Sequence, residues 1–91
     1  MSVADNIRVK LNASFAPTEL MVEDESAKHH GHSGARPEGE THFRVVIVSP
    51  MFAGLSRVER QRRVYAALSA ELNDRVHALA LTARAPEESA R

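Results

Sequence analysis

The chain contains no cysteine among its 91 residues. This excludes a disulfide, a thiolate nucleophile and a self-contained thiolate-ligated cluster, so any iron–sulfur chemistry must draw sulfur from another molecule. An excess of charge of one sign is also missing: 12 Lys and Arg balance 12 Asp and Glu, and the formal net charge is zero with histidine neutral. Binding to nucleic acid by bulk charge is thereby excluded, and any basic patch is local. No run approaches the roughly 18 apolar residues of a membrane span, and the opening MSVADNIRVK lacks an apolar core of signal-peptide length; a soluble, cytoplasmic protein is expected. Walker and Rossmann glycine strings are absent, and no nucleophile–base–acid pattern stands out, so no enzymatic activity is expected. Ser, His and Asp do meet in DESAKHH, but a loop would not hold a triad in geometry. At this length one domain buries about 60% of its unfolded surface, too little for a deep substrate cavity.

What the sequence has instead is histidine. Of five histidines, His29, His30, His32 and His42 fall in one stretch, ESAKHHGHSGARPEGETHF, between two hydrophobic runs, and His77 stands alone near the end. Imidazole is a ready ligand for borderline metals, and a glycine-rich loop can carry it to a partner. The plainer reading stands beside this one: histidines in such a loop are often only solvated, and a histidine at a strand end is often a partly buried residue donating one hydrogen bond. By position, His42 reads as structural or unexplained and His30 as solvated.

The periodicities give an order of elements. Ser2 and Asp5 resemble a capping box, and Val3, Ile7, Leu11 and Phe15 recur at helical spacing until Pro17. Leu20, Met21 and Val22 predict a short strand before Glu23, Asp24 and Glu25. Gly31, Gly34, Pro37 and Gly39 exclude regular structure and leave residues 27–40 as a flexible loop. HFRVVIVS, from His42 to Ser49, is β-branched and apolar on both faces apart from Arg44, as in a central strand covered by helices. Pro50 ends it. Ser56 and Glu59 form a second capping box, opening a helix on which Val58, Val64, Tyr65, Leu68 and Leu72 share an apolar arc flanked by Arg60, Arg62 and Arg63. Asn73 and Asp74 break that helix. Residues Val76 to Ala83 alternate as a last strand, before Pro86 and a disordered tail over 87–91. Helix, strand, strand, helix, strand predicts a single α+β domain over residues 1–86, with helices packed on a small mixed three-stranded sheet.

Several motifs in this order resemble the BolA family: DES with His29 three residues after Ser26, then GETHFRVVIVS, then Phe52-x-Gly54, Arg60-x-Arg62, Val64-Tyr65 and VHALAL. The resemblance runs from about Leu20 to Thr82. It implies a KH-like topology with a short helical turn near Phe52. It also implies pairing with a monothiol glutaredoxin around a shared, bridging [2Fe–2S] cluster, with glutathione supplied through the glutaredoxin and no cofactor on the isolated chain. The family's C-terminal histidine ligand falls on His77, and its loop ligand on His29, with His32 as the alternative. The chain departs from the family pattern at Gln61, where many members carry histidine, and at Ala27, where a larger residue is common.

The function expected on this basis is a non-enzymatic adaptor, monomer or weak homodimer when alone. It would serve iron–sulfur maturation, with apo iron–sulfur proteins as recipients, or iron and stress regulation. Two neutral imidazoles in place of two thiolates would raise the cluster's reduction potential, as in Rieske centres. The alternative is a DNA-binding transcriptional regulator in which Arg57, Arg60, Arg62 and Arg63 contact phosphates or base edges from the second helix, with weak affinity. RNA binding of the usual KH kind is disfavoured, because FAGLS offers only Gly54 between the expected helices, and the GxxG of GHSG lies between two strands.

Overall fold

A computed structural model describes residues 2–25, 42–74 and 76–89. Helix α1 spans Val3–Phe15, strand β1 Glu19–Asp24, strand β2 His42–Val48, a 3-10 turn Pro50–Phe52, helix α2 Arg57–Ala67, helix α3 Ser69–Leu72, strand β3 Ala78–Arg84 and helix α4 Pro86–Ser89. The α+β class and the order of α1, β1, β2, the 3-10 turn, α2 and β3 are those expected from the sequence, with α3 and α4 in addition. The loop expected over residues 27–40 lies outside the described residues.

Local signals start and stop these elements. The Ser2 hydroxyl accepts from the Asp5 N–H at 3.1 Å, capping α1. The helix ends on Ala16 in the left-handed region, φ 43°, whose N–H donates to the Asn12 carbonyl, and Pro17 prevents continuation. Ser56 caps α2 through the Glu59 N–H at 3.1 Å. Gly54 has φ 78° and open space where a side chain would lie, so the turn needs glycine for its backbone angle and not for room.

The sheet order is β1-β2-β3, with β1 antiparallel and β3 parallel to the central β2. Phe43, Val45 and Ile47 alternate along β2 and are almost fully buried, on one face with Val22 of β1. They share a core with Ile7, Leu11 and Phe15 of α1, with Val64 of α2 and with Leu68 directly after it, so both helices cover this face. The opposite face carries Glu23, Arg44 and Ala80 exposed and Val46 half-buried, with Val48 buried at its end. The apolar run of β2 is therefore covered by helices on one side and not on both. Ser49, fully buried, ties the layers together: its hydroxyl donates to the Phe15 carbonyl at 2.6 Å and accepts from the Met51 N–H at 3.1 Å. Phe15 and Phe52 meet beside it, with ring centroids 5.1 Å apart.

Three boundaries differ from the expectation. The second helix breaks at Leu68, whose backbone angles of −103° and 18° leave the helical region, so α3 is separate. β3 begins at Ala78, placing Val76 and His77 ahead of it. A last helical turn, Pro86–Ser89, stands where a disordered tail is expected.

Candidate functional site

The parallel register of β2 and β3 pairs His42 with Ala78. His42 opens β2 and His77 immediately precedes β3, so two histidines far apart along the chain come together at one end of the sheet. Their rings are stacked, with centroids 6.4 Å apart and planes inclined by 22°. His77 is exposed and His42 half-buried. The backbone on either side is anchored. Val76, beside His77, is 5% exposed and donates its N–H to the Glu71 carbonyl at 3.0 Å. The His42 carbonyl accepts from the Glu25 N–H at 2.7 Å. The Glu25 side chain, itself buried, accepts from Arg44 Nε at 2.9 Å, and that bond together with the Glu25 charge holds the Arg44 guanidinium above its ordinary pKa.

Of the expected ligands, His77 thus occupies an exposed position set by the sheet, while His29 and His32 lie outside the described residues. Among the described residues no three His, Cys, Asp or Glu side chains gather as a metal site. The donor set offered by the sheet is two imidazoles. Nitrogen donors of this kind suit iron, copper, nickel and zinc, and they leave the remaining positions of any cluster to sulfur from outside. His42 is the residue that position in the sequence did not single out; only the strand register brings it to His77.

The arginines of α2 separate into two kinds. Arg57, Arg62 and Arg63 are exposed, and the last two hold Glu59 at 3.0 and 3.1 Å, the Arg63 hydrogen bond being the main reason that its carboxyl lies below the usual range. Arg60 is 9% exposed. Its Nε donates to the Leu55 carbonyl at 3.0 Å, Nη1 to the Ala83 carbonyl at 3.1 Å, and both Nη atoms to the Glu88 carboxylate at 2.6 and 3.0 Å. It joins α2, β3 and α4. As a candidate nucleic-acid contact Arg60 is therefore corrected: its donors are spent inside the fold. Val58, expected on the apolar arc, is instead 67% exposed. No described helix is long and apolar enough to cross a membrane.

Comparison with known proteins agrees with this architecture. The family described as "BolA-like protein" matches residues 11–88. The chain is 44% identical over 88 residues to "Protein BOLA1, chloroplastic" of Arabidopsis thaliana, covering 94% of this chain and 55% of that protein. It is 42% identical over 88 residues to the "DNA-binding transcriptional regulator BolA" of Haemophilus influenzae, covering 97% of this chain and 82% of that one. The chain thus spans about half the length of the plant relative and most of the bacterial one. Among solved structures, the BolA domain of SufE1 from Arabidopsis thaliana is similar with a TM-score of 0.86 and 44% identity, over 97% of this chain and 96% of that one. From the matched motifs, the two-layer fold and these likenesses, the chain belongs to the BolA family.

Proposed function

We propose that this protein is a non-enzymatic cytoplasmic adaptor that pairs with a monothiol glutaredoxin and co-ligates a bridging [2Fe–2S] cluster. The observation that carries the reading is His77: an exposed imidazole on an anchored backbone, in a chain without cysteine. His77 supplies one nitrogen and a loop histidine, His29 or His32, the other, while the partner brings thiolate sulfur from its cysteine and from glutathione. A bound cluster would supply an electron-accepting iron–sulfur centre that can pass to an apo iron–sulfur protein. The chain's own contribution is to present the His77 ring at the sheet end, where a partner can approach. The likeness to a BolA domain found in SufE1 supports a link to iron–sulfur chemistry.

The family name borne by the Haemophilus relative favours a second reading, a DNA-binding regulator. In that reading the contacts fall to Arg57, Arg62 and Arg63, because Arg60 is buried. Each exposed contact would add salt-dependent, sequence-independent affinity.

Anaerobic reconstitution tests the adaptor reading. With iron and sulfide but no added thiol, the isolated chain is expected to form no stable [2Fe–2S] chromophore. Mixed with a glutaredoxin and glutathione, it is expected to form one whose visible spectrum differs from that of the glutaredoxin alone. A stoichiometric cluster on the isolated chain, or a mixed sample identical to the glutaredoxin alone, contradicts it.

A further inference from the structure

We propose that His42 and His77 together form a binding site for a single divalent first-row transition metal ion on the isolated chain, independent of the loop histidines. The inference goes beyond the shared-cluster reading, and it adds that such an ion, by occupying His77, would compete with cluster ligation.

The site follows from the strand register. A histidine alone on a surface is a weak ligand, but two imidazoles held side by side at the ends of neighbouring strands lose less freedom on chelation than two independent ones. Here one ring opens β2 and the other directly precedes β3, and both backbones are hydrogen-bonded, at the His42 carbonyl and at Val76 N–H. Two imidazoles in adjacent positions of one square or octahedral ion such as Ni²⁺, with metal–nitrogen bonds of about 2 Å, place their ring centroids roughly 4.5 Å apart. The observed separation is 6.4 Å with the planes near parallel, so chelation requires the rings to turn and approach by about 2 Å. Rotation about χ2 of histidine is soft, and His77 is exposed, so the His77 side chain can make this adjustment. Neutral imidazoles select among ions by the order Mn < Co < Ni < Cu, and water fills the remaining positions.

The test uses Ni²⁺ alone on the isolated chain. The background is the variant His29→Ala, His30→Ala, His32→Ala, which removes the loop imidazoles. Titration calorimetry is expected to show one Ni²⁺ per chain, and nitrogen-15 imidazole spectra to show paramagnetic broadening at both His42 and His77. Adding His42→Gln or His77→Gln is expected to abolish the binding in each case, with far-ultraviolet circular dichroism unchanged. Mn²⁺ should bind far more weakly than Ni²⁺. Absence of Ni²⁺ binding in the loop variant, or binding that survives either glutamine substitution, overturns the proposal. No glutaredoxin is present, so a failure of the adaptor reading leaves this result intact, and the reverse also holds.

Discussion

Replacing His77 with alanine is expected to abolish the nitrogen-ligated cluster signature of the glutaredoxin complex. The ring lies on an anchored backbone beside Val76, so the fold itself sets its position. The proposed loop ligand is in a different setting. His29 is followed in sequence by His30 and, one glycine later, His32, so losing one imidazole can be covered by another close along the chain. His29→Ala should therefore weaken or shift the signature, and only His29→Ala with His32→Ala should match the loss at His77. His42→Gln should leave the cluster in place while removing the mononuclear ion site. Visible circular dichroism of the four variant complexes reads these differences. None of the substitutions removes a large apolar side chain, so all four chains should remain folded. A cluster signal unchanged in His77→Ala refutes the assignment.

The second large effect is on stability. Arg60→Ala is expected to destabilise the fold by about 2–4 kcal/mol, because it strips hydrogen bonds from two backbone carbonyls and removes the stem that fills the α2–β3 junction. Arg63→Ala, at an exposed pair with Glu59, should change stability by about 0.5 kcal/mol or less. Urea denaturation of the two variants decides between a clamp and an ornament; equal small effects would mean that the Arg60 network contributes little. A pH signature accompanies it. The Arg60 hydrogen bond, followed by that from the Ala85 N–H, holds the Glu88 carboxyl down from its ordinary 4.5 to about 2. A carboxyl depressed in the folded state contributes its full stability above about pH 4.5 and loses it as the pH falls toward about 2. The contribution is reduced by solvent, since the Glu88 side chain is 46% exposed. The stability difference between the native chain and Glu88→Gln should accordingly narrow on acidification through that window. A difference that stays constant would show that the ion pair does not set the pH dependence.

Most of the fold is legible in the sequence because its determinants are local. Ile7, Leu11 and Phe15 lie four apart and form the buried stripe of α1. Ser2 and Ser56 cap the helices they are expected to cap. The features that escape are those that depend on where distant segments meet. Alternation over Val76 to Ala83 cannot fix where β3 begins, because hydrogen bonding to β2 decides it. Apolar periodicity runs through Leu68 without a break, yet the backbone turns there. Glu88 looks like tail until it meets Arg60, 28 positions away.

Arg60 carries a signal that helical spacing contains and residue type conceals. It stands four residues before Val64 and eight before Leu68, both buried, so it belongs to the inward stripe of α2. Its charge assigns it to the flank instead, and Val58 takes its place in the expected arc. Histidine pairing is hidden more deeply. Nothing in local pattern relates residue 42 to residue 77; the parallel register alone sets them side by side.

The central claim is that this chain places nitrogen on the iron of a shared cluster. The most direct measurement is electron–nuclear hyperfine spectroscopy on the reduced mixed complex, prepared with nitrogen-15 histidine in this chain and an unlabelled glutaredoxin. Strong nitrogen-15 couplings to the cluster, lost when the labelled chain carries His77→Ala, are the predicted result. An all-sulfur cluster with no nitrogen-15 coupling from this chain would contradict it.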